Sequence, residues 1–288
     1  MSQGSLIYLI NLTIGAILSS MLLQYWRRAG RDSALWFWML AAWTMTAADL
    51  LFALRPQLPY WVGRFFPTLL ITVGHAMLLL GAERTAGRSR HARRVAVLVA
   101  VHAVALAGFL ALGMSSWRTV TNGVVWGGLS VGAFAMLRGA EPALRRTMAI
   151  PAYVFLAHGL FHAWRITSAI GIALGPAGAT AAASSEWVQL LGDVEASFFM
   201  VALFVSVLLA HLELRNQALE RALADVHELS GLLPLCAWCR KVRNDDGFWQ
   251  QIESYLSTRS EVQFTHGICE ECAREHLGAG DTAPPTPS

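Results

Sequence analysis

Every thiol of this 288-residue chain sits in one of two pairs, Cys236-x2-Cys239 and Cys269-x2-Cys272, with 29 residues between the pairs. Two tight C-x-x-C turns can reach one ion from two sides, and four thiolates satisfy a tetrahedral dication, so the pattern points to structural zinc. His266, three residues before Cys269, is placed to donate to a ligand sulfur or to replace a ligand. A second chemical grouping lies upstream. "YVFLAHGLFHAWR" sets His158, His162 and Arg165 at i, i+4 and i+7, one face of a helix, within an apolar run. Ionisable side chains in hydrocarbon cost several kcal/mol unless paired or hydrated, which makes this face a candidate site.

The elements that must position these groups are membrane spans. Hydrophobic residues make up 55% of the chain, charged residues 14%, and the mean hydropathy is +0.45, which is no ordinary soluble globule. Seven apolar runs, about 5–26, 34–54, 62–82, 95–113, 118–137, 147–174 and 187–211, are long enough as helices to cross a bilayer core of about 30 Å. The first lacks a basic n-region and is too long for a cleavable signal peptide, so it is expected to be retained. The net charge of +3 comes almost wholly from arginine, Lys241 being the only lysine. A retinal Schiff base needs a lysine in the seventh helix, so a rhodopsin-type pigment is excluded on inventory. The basic residues fall in short clusters between apolar runs, the pattern of loops, and no nucleic-acid partner is expected.

Arginine placement sets the expected orientation. With the N-terminus outside, the cytoplasmic loops carry Arg27, Arg28 and Arg31, then Arg84, Arg88, Arg90, Arg93 and Arg94, then Arg138, Arg145 and Arg146. The outer loops keep only Arg55, Arg64 and Arg118. The positive-inside rule then puts the tail from about residue 212 in the cytoplasm, where free cysteines read as metal ligands before disulfides. In this topology Asp49, Arg165, Asp193 and Glu195 fall in the outer half of the membrane and His75 near its middle. With His158 and His162 they form a candidate intramembrane pocket for a ligand, a proton or a haem; the competing reading is that Arg165 pairs with Asp193 or Asp49 and merely fixes helix packing. His102 and His211 stand alone and read as structural. Trp26, Trp36, Trp38, Trp61, Trp117, Trp126 and Trp187 read mostly as interfacial anchors.

Past the last span, Leu212, Leu219, Val226 and Leu233 recur every seven residues, with Ala222 and Leu229 between them and Arg215 breaking the set. This predicts either a helix that pairs with a second copy or a single amphipathic helix. Pro234 ends it just before the first cysteine. Between the cysteine pairs, "FWQQIESYLSTRS" predicts an amphipathic helix, and "CEECAREHL" the opening turn of another helix that carries two ligands, as in treble-clef zinc folds. Iron in the same spacing would make a rubredoxin-type site, but Arg240 and Ala273 stand where rubredoxins usually place glycine. "CAWCR" lacks the histidine of a c-type haem attachment, and a thioredoxin-like pair lacks its βαβ setting.

The stretch "LSGLLPLCAWCRKVRNDDGFWQQIESYLSTRSEVQFTHGICEECAREHL", residues 229–277, resembles a C-terminal module of bacterial signalling proteins. Members of that family read L-S-G-L-L-P-I-C-x-x-C-K-K-I-R, then D-x-G-Y-W-x-x-I-E-x-Y, then F-S-H-G-I-C-P-x-C. This chain departs at Arg240, Val242, Phe248, Thr265 and Glu270. The module is commonly appended to PAS, GAF or receiver-type sensory domains. The resemblance implies a signalling context with the module at an output or relay position, and it supplies no enzymatic activity.

These readings converge on an all-α membrane protein: seven transmembrane helices with the N-terminus out (1–211), a signalling helix (212–233), a treble-clef-like zinc module with four cysteine ligands (234–277) and a disordered tail (278–288). The expected function is a signal-transduction receptor of the bacterial inner membrane, dimeric through 212–233, that relays an input from the helices to a cytosolic signalling partner. No nucleotide loop, kinase signature or catalytic triad is present, so no enzyme and no catalytic residues are expected. The competing class is a membrane electron-transfer protein, with haem held by His75, His158 or His162 and iron held by the cysteines. A transporter would show an inverted repeat, and no sign of one is seen.

Overall fold

The computed structural model describes residues 3–28, 33–175, 179–230, 235–244, 246–258, 263–265 and 267–277. Two compact units are present, Met1–Ala218 and Leu219–Ser288.

The first unit is helical throughout: α1 (Gln3–Arg28), α2 (Ser33–Ala53), α3 (Val62–Thr85), α4 (Ala92–Ala111), α5 (Ser115–Arg138), a short α6 (Pro142–Thr147), α7 (Ala149–Leu174) and the start of α8 (Ala179–Ser230). Among the described residues, six stretches are long and apolar enough to cross a membrane: Ile7–Arg28, Ser33–Ala53, Val62–Thr85, Ala92–Ala111, Ser115–Arg138 and Glu186–Ala224. The chain is therefore a helical membrane protein by the length and composition of its helices. Helix α7 is as long as α1, but His158, His162 and Arg165 lower its hydropathy. The same three residues keep it out of the apolar set and make it chemically interesting.

The bundle is apolar outside and partly polar inside. Val101 and Val104 of α4, Leu160 of α7 and Phe198 of α8 face outward, while His75, His102, His158 and His162 are buried. The buried set also corrects the reading of two tryptophans as interfacial: Trp38 is fully enclosed and Trp126 nearly so. The indole N–H of Trp38 donates to Thr85 Oγ1 at 3.1 Å. Helix α3 packs against α2, α4 and α5, and α5 packs along α7. Phe199, Leu203, Phe204 and Val207 of α8 join the same core. Where α3 hands over to α4, the buried Glu83 carboxylate accepts hydrogen bonds from the backbone N–H groups of Arg90 and His91. His91 Nδ1 pairs with the same carboxylate at 2.8 Å, so Glu83 satisfies amides that a helix start leaves unpaired.

The second unit contains α9 (Ile252–Ser257) and α10 (Glu270–Leu277) and, against the expectation of an all-α chain, a small hairpin of β1 (Val242–Arg243) and β2 (Trp249–Gln250). Trp249 is thus in a strand, and the helix begins only at Ile252. The cause is the "NDDG" turn: Phe248 N–H donates to the Asn244 side chain at 2.8 Å, and Gly247 adopts φ 86°, the chemistry that closes a hairpin. Among the described residues of this unit, Val242 and Tyr255 are the buried ones. Residues 212–230 are the continuation of α8. Residues 231–234, with Leu233 and Pro234, and residues 278–288 lie outside the described residues.

Lipid tails are as apolar as leucine, so helices in a bilayer are held by close packing and polar bonds. At the α5–α7 crossing, a Cβ added to Gly159 would lie 2.8 Å from Val131 Cγ2. Gly159→Leu is therefore expected to separate the two helices and destabilise the detergent-solubilised bundle by about 1–3 kcal/mol, read as a lowered thermal unfolding midpoint. Gly108→Leu, at a position with open space around it, should leave the midpoint unchanged.

Candidate functional site

Helical spacing on α7 turns His158, His162 and Arg165 to one side, and α3, α2 and α8 present His75, Asp49 and the Asp193–Glu195 pair to that side. All seven side chains singled out in the spans line one cavity of about 360 Å³, within the usual size of a small-molecule site. At its deep end His158 Nε2 stands 3.0 Å from His75 Nε2 and 3.1 Å from His162 Nε2. The other ring nitrogen of His158 meets Glu195 Oε1 at 2.7 Å, and His75 Nδ1 donates to the Ile71 carbonyl at 2.9 Å. His162 Nδ1 is buried with no hydrogen-bond partner.

Arg165 is not in the expected ion pair. Its Nε is buried without a partner, and among the described residues it has no carboxylate within 4.0 Å; the close base–carboxylate contacts present are His91–Glu83 and His158–Glu195, ionic only when the histidine is protonated. Of the two acids it was expected to use, Asp49 is not within ion-pair distance and Asp193 is engaged elsewhere. Asp193 accepts from Tyr8 Oη at 3.0 Å and from Gln189 Nε2 at 2.9 Å, and Glu195 holds His158. The guanidinium lies against Gly192 of α8, where an added Cβ would stand 2.9 Å from Cζ. Asp49 is buried and lines the same space as Asn11.

Three lining arginines were not picked out from the sequence as site residues: Arg55, in the turn after α2, Arg64, at the start of α3, and Arg118, at the start of α5. These are the three that the arginine bias leaves on the outer side, and that exception was the available signal. Burial, then the like charge of Arg64, hold the Arg55 guanidinium below its ordinary pKa. Trp126 was also missed. Its ring stacks on His75 with centroids 5.6 Å apart, and its N–H donates to Thr72 Oγ1 at 2.9 Å. His102 is a satisfied structural histidine, bonded to Thr72 at 3.0 Å and to Asn122 at 3.1 Å. His211 is likewise tied to the Val207 carbonyl, at 3.0 Å.

In the second unit each cysteine pair is assembled within its own turn. Cys236 N–H donates to the Lys241 carbonyl at 2.8 Å, and Arg240 N–H to the Cys236 carbonyl at 2.9 Å. Arg240 takes φ 55°, the left-handed conformation, at the position where a metal knuckle usually has glycine. Cys269 immediately precedes α10 and Cys272 lies in its first turn. Backbone N–H groups lower the thiol pKa at Cys236, that of Cys239 foremost, and at Cys269, that of Cys272 foremost. This favours the thiolate, the ligating form. The four sulfurs are not gathered into one set: among the described residues, only His75, His158 and His162 bring three ligating atoms within 4.8 Å of one another. His266 lies outside the described residues.

Compared with models of known protein families, with curated proteins and with solved structures, the chain matches none.

The hydrogen bonds around Asp193 predict where coupling lies. A double-mutant cycle of Tyr8→Phe with Asp193→Asn should show about 1 kcal/mol of coupling in bundle stability. The cycle of Arg165→Gln with Asp193→Asn should show less. Thermal unfolding in detergent reads both, and the reverse order would restore the ion-pair account of Arg165.

Proposed function

We propose that this chain is a receptor-like signal-transduction protein of the bacterial inner membrane, with seven membrane-crossing helices, α7 being among them, and an outer N-terminus. The cavity is its input site. A ligand with anionic character enters past Arg55, Arg64 and Arg118 and reaches the polar groups below. The observation that carries this reading is Arg165, a buried guanidinium that lines a cavity of ligand size and, among the described residues, has no carboxylate within 4.0 Å. A structural arginine would be paired, because a buried unpaired charge costs several kcal/mol; a binding arginine waits for its partner.

The tail is the output. Its resemblance to the signalling module, the knuckle geometry at Cys236–Arg240 and the thiolate-favouring amides support one zinc ion held by Cys236, Cys239, Cys269 and Cys272. The zinc supplies folding energy to a unit with few buried residues and leaves its surface to a cytosolic partner. Leu212 and Leu219 are exposed on α8, and their seven-residue spacing supports pairing of two copies through 212–233. Side chains beyond Ala224 in this stretch lie outside the described residues.

Two measurements test this. Single cysteines introduced along 212–229, with the zinc-bound thiols protected, should be joined by a short bis-maleimide with a seven-residue period peaking at 212, 219 and 226. Arg165→Gln should change those yields at least twofold if the cavity governs the tail; identical yields would sink the sensory reading. The purified protein should hold zinc in its tail and show no haem or ferric-thiolate absorption, the colour that an electron-transfer protein would carry.

A further inference from the structure

The protons of the histidine cluster can be placed by elimination. The Ile71 carbonyl can only accept a hydrogen bond, so His75 carries its proton on Nδ1, and its Nε2 is a bare lone pair. An ionised Glu195 also only accepts, so His158 Nδ1 carries a proton, and in the neutral imidazole its Nε2 is then bare as well. Two bare lone pairs then face each other at 3.0 Å, a repulsive contact unless a cation lies between them. His162 Nε2 approaches the same point, 3.1 Å from His158 Nε2. Nitrogens bonded to one tetrahedral ion at about 2.0–2.1 Å stand roughly 3.3 Å from one another, close to both separations.

The surroundings fit such an ion. A carboxylate on the far nitrogen of one ligand and a backbone carbonyl on the far nitrogen of another are the contacts that fix a metal-binding imidazole. The ring of Phe199 stacks 3.6 Å from that of His158, and Trp126 stacks on His75, so the ligands are walled by aromatic groups. Imidazole ligands select zinc or copper over magnesium or calcium. Two axial haem ligands would need roughly 4 Å between their nitrogens, twice a metal–nitrogen bond, with a porphyrin plane between them.

We infer that His75, His158 and His162 bind a single transition-metal ion of the zinc or copper class inside the helix bundle, with the fourth coordination position open to the cavity. This rests on reading the cavity as the input site and specifies its chemistry: the ion presents a Lewis acid to an anionic ligand, while Arg165 meets the ligand from the side. The metal-free alternatives are a protonated Glu195 or a doubly protonated His158 ion-paired with it, either of which would let His158 Nε2–H donate to His75.

The test uses the full-length chain with an affinity tag free of histidine, purified in detergent. Elemental analysis should find about two metal equivalents per chain, falling to about one in His158→Gln and again to about one when the four cysteines are changed to serine. The protein stripped of metal, its thiols then alkylated, and reloaded with Cu²⁺ should show electron paramagnetic resonance coupling to three imidazole nitrogens. That signal needs no variant and therefore stands even if His158→Gln fails to fold. Equal metal content in folded wild type and His158→Gln overturns the site, as does Cu²⁺ without imidazole coupling, and a Soret band would assign haem in its place. Cross-linking yields at 212 and 219, measured with and without Zn²⁺, separate this from the sensory reading. Metal bound without any change in yield keeps the site and sinks the sensing; yields that respond to Arg165→Gln in a chain lacking bundle metal do the reverse.

Discussion

A polar group that faces hydrocarbon finds no partner, and that constraint organises the whole first unit. Helix α7 shows it most clearly. Ile150, Tyr153, Leu160 and Trp164 are exposed on its outer side, while His158, His162 and Arg165 are buried. Once these three face inward, the helices opposite must either answer them or leave space. Helix α8 answers His158 with Glu195 at 2.7 Å, helix α3 brings His75, and Arg165 is left beside a cavity. The apolar exterior and the reactive interior are two results of one rule.

Polar attraction alone would not set distances of about 3 Å between groups on different helices; the backbones must also approach closely. Gly159 permits this at the crossing of α5 and α7, and Gly127 of α5 lies where an added Cβ would stand 3.0 Å from His162 Cβ. A larger residue at either place would push α7, and with it two of the three clustered imidazoles, away from α3. Stability and site geometry thus rest on the same contacts. The Trp126–Thr72–His102 chain of hydrogen bonds ties α5, α3 and α4 behind the cluster, so His75 is held from its rear as well.

Much of this is legible in the sequence, for physical reasons that can be named. Spans follow from run length, and the face shared by His158, His162 and Arg165 follows from the helical period. What does not follow is pairing between helices. Arg165 and Asp193 have complementary charges at similar depth, yet Tyr8 and Gln189 occupy both oxygens of that carboxylate, and no one-dimensional pattern shows which of several donors arrives first. Trp126 fell among the interfacial tryptophans although it lies at the middle of its run, 118–137, and that depth was the signal that set it apart. The hairpin in the tail was missed where two residues per strand are too few to show alternation; Asn244 and Gly247 were its signal, and the turn chemistry outweighed the helical pattern that starts at Trp249.

The charges around the cavity follow an order along the helices. Arg55, Arg64 and Arg118 stand at helix ends, whereas Asp193, Glu195 and the histidines lie further along their helices. By the alternation of the helices these three arginines stand on the opposite side of the bundle from the loops that carry most of the others, so gathering them around one cavity needs a local reason. Lipid headgroups alone would not require that all three line the same space. The anion proposed above would meet Arg165 next, then the imidazoles, whose Nε2 lone pairs repel one another if both rings are neutral and protonated on Nδ1. Neutral imidazoles do little for an anion, whereas imidazoles that share a cation would bind it directly. A positive charge between the three nitrogens, the metal inferred above or a shared proton, would make the lining arginines and the histidines chemically consistent with one anionic ligand.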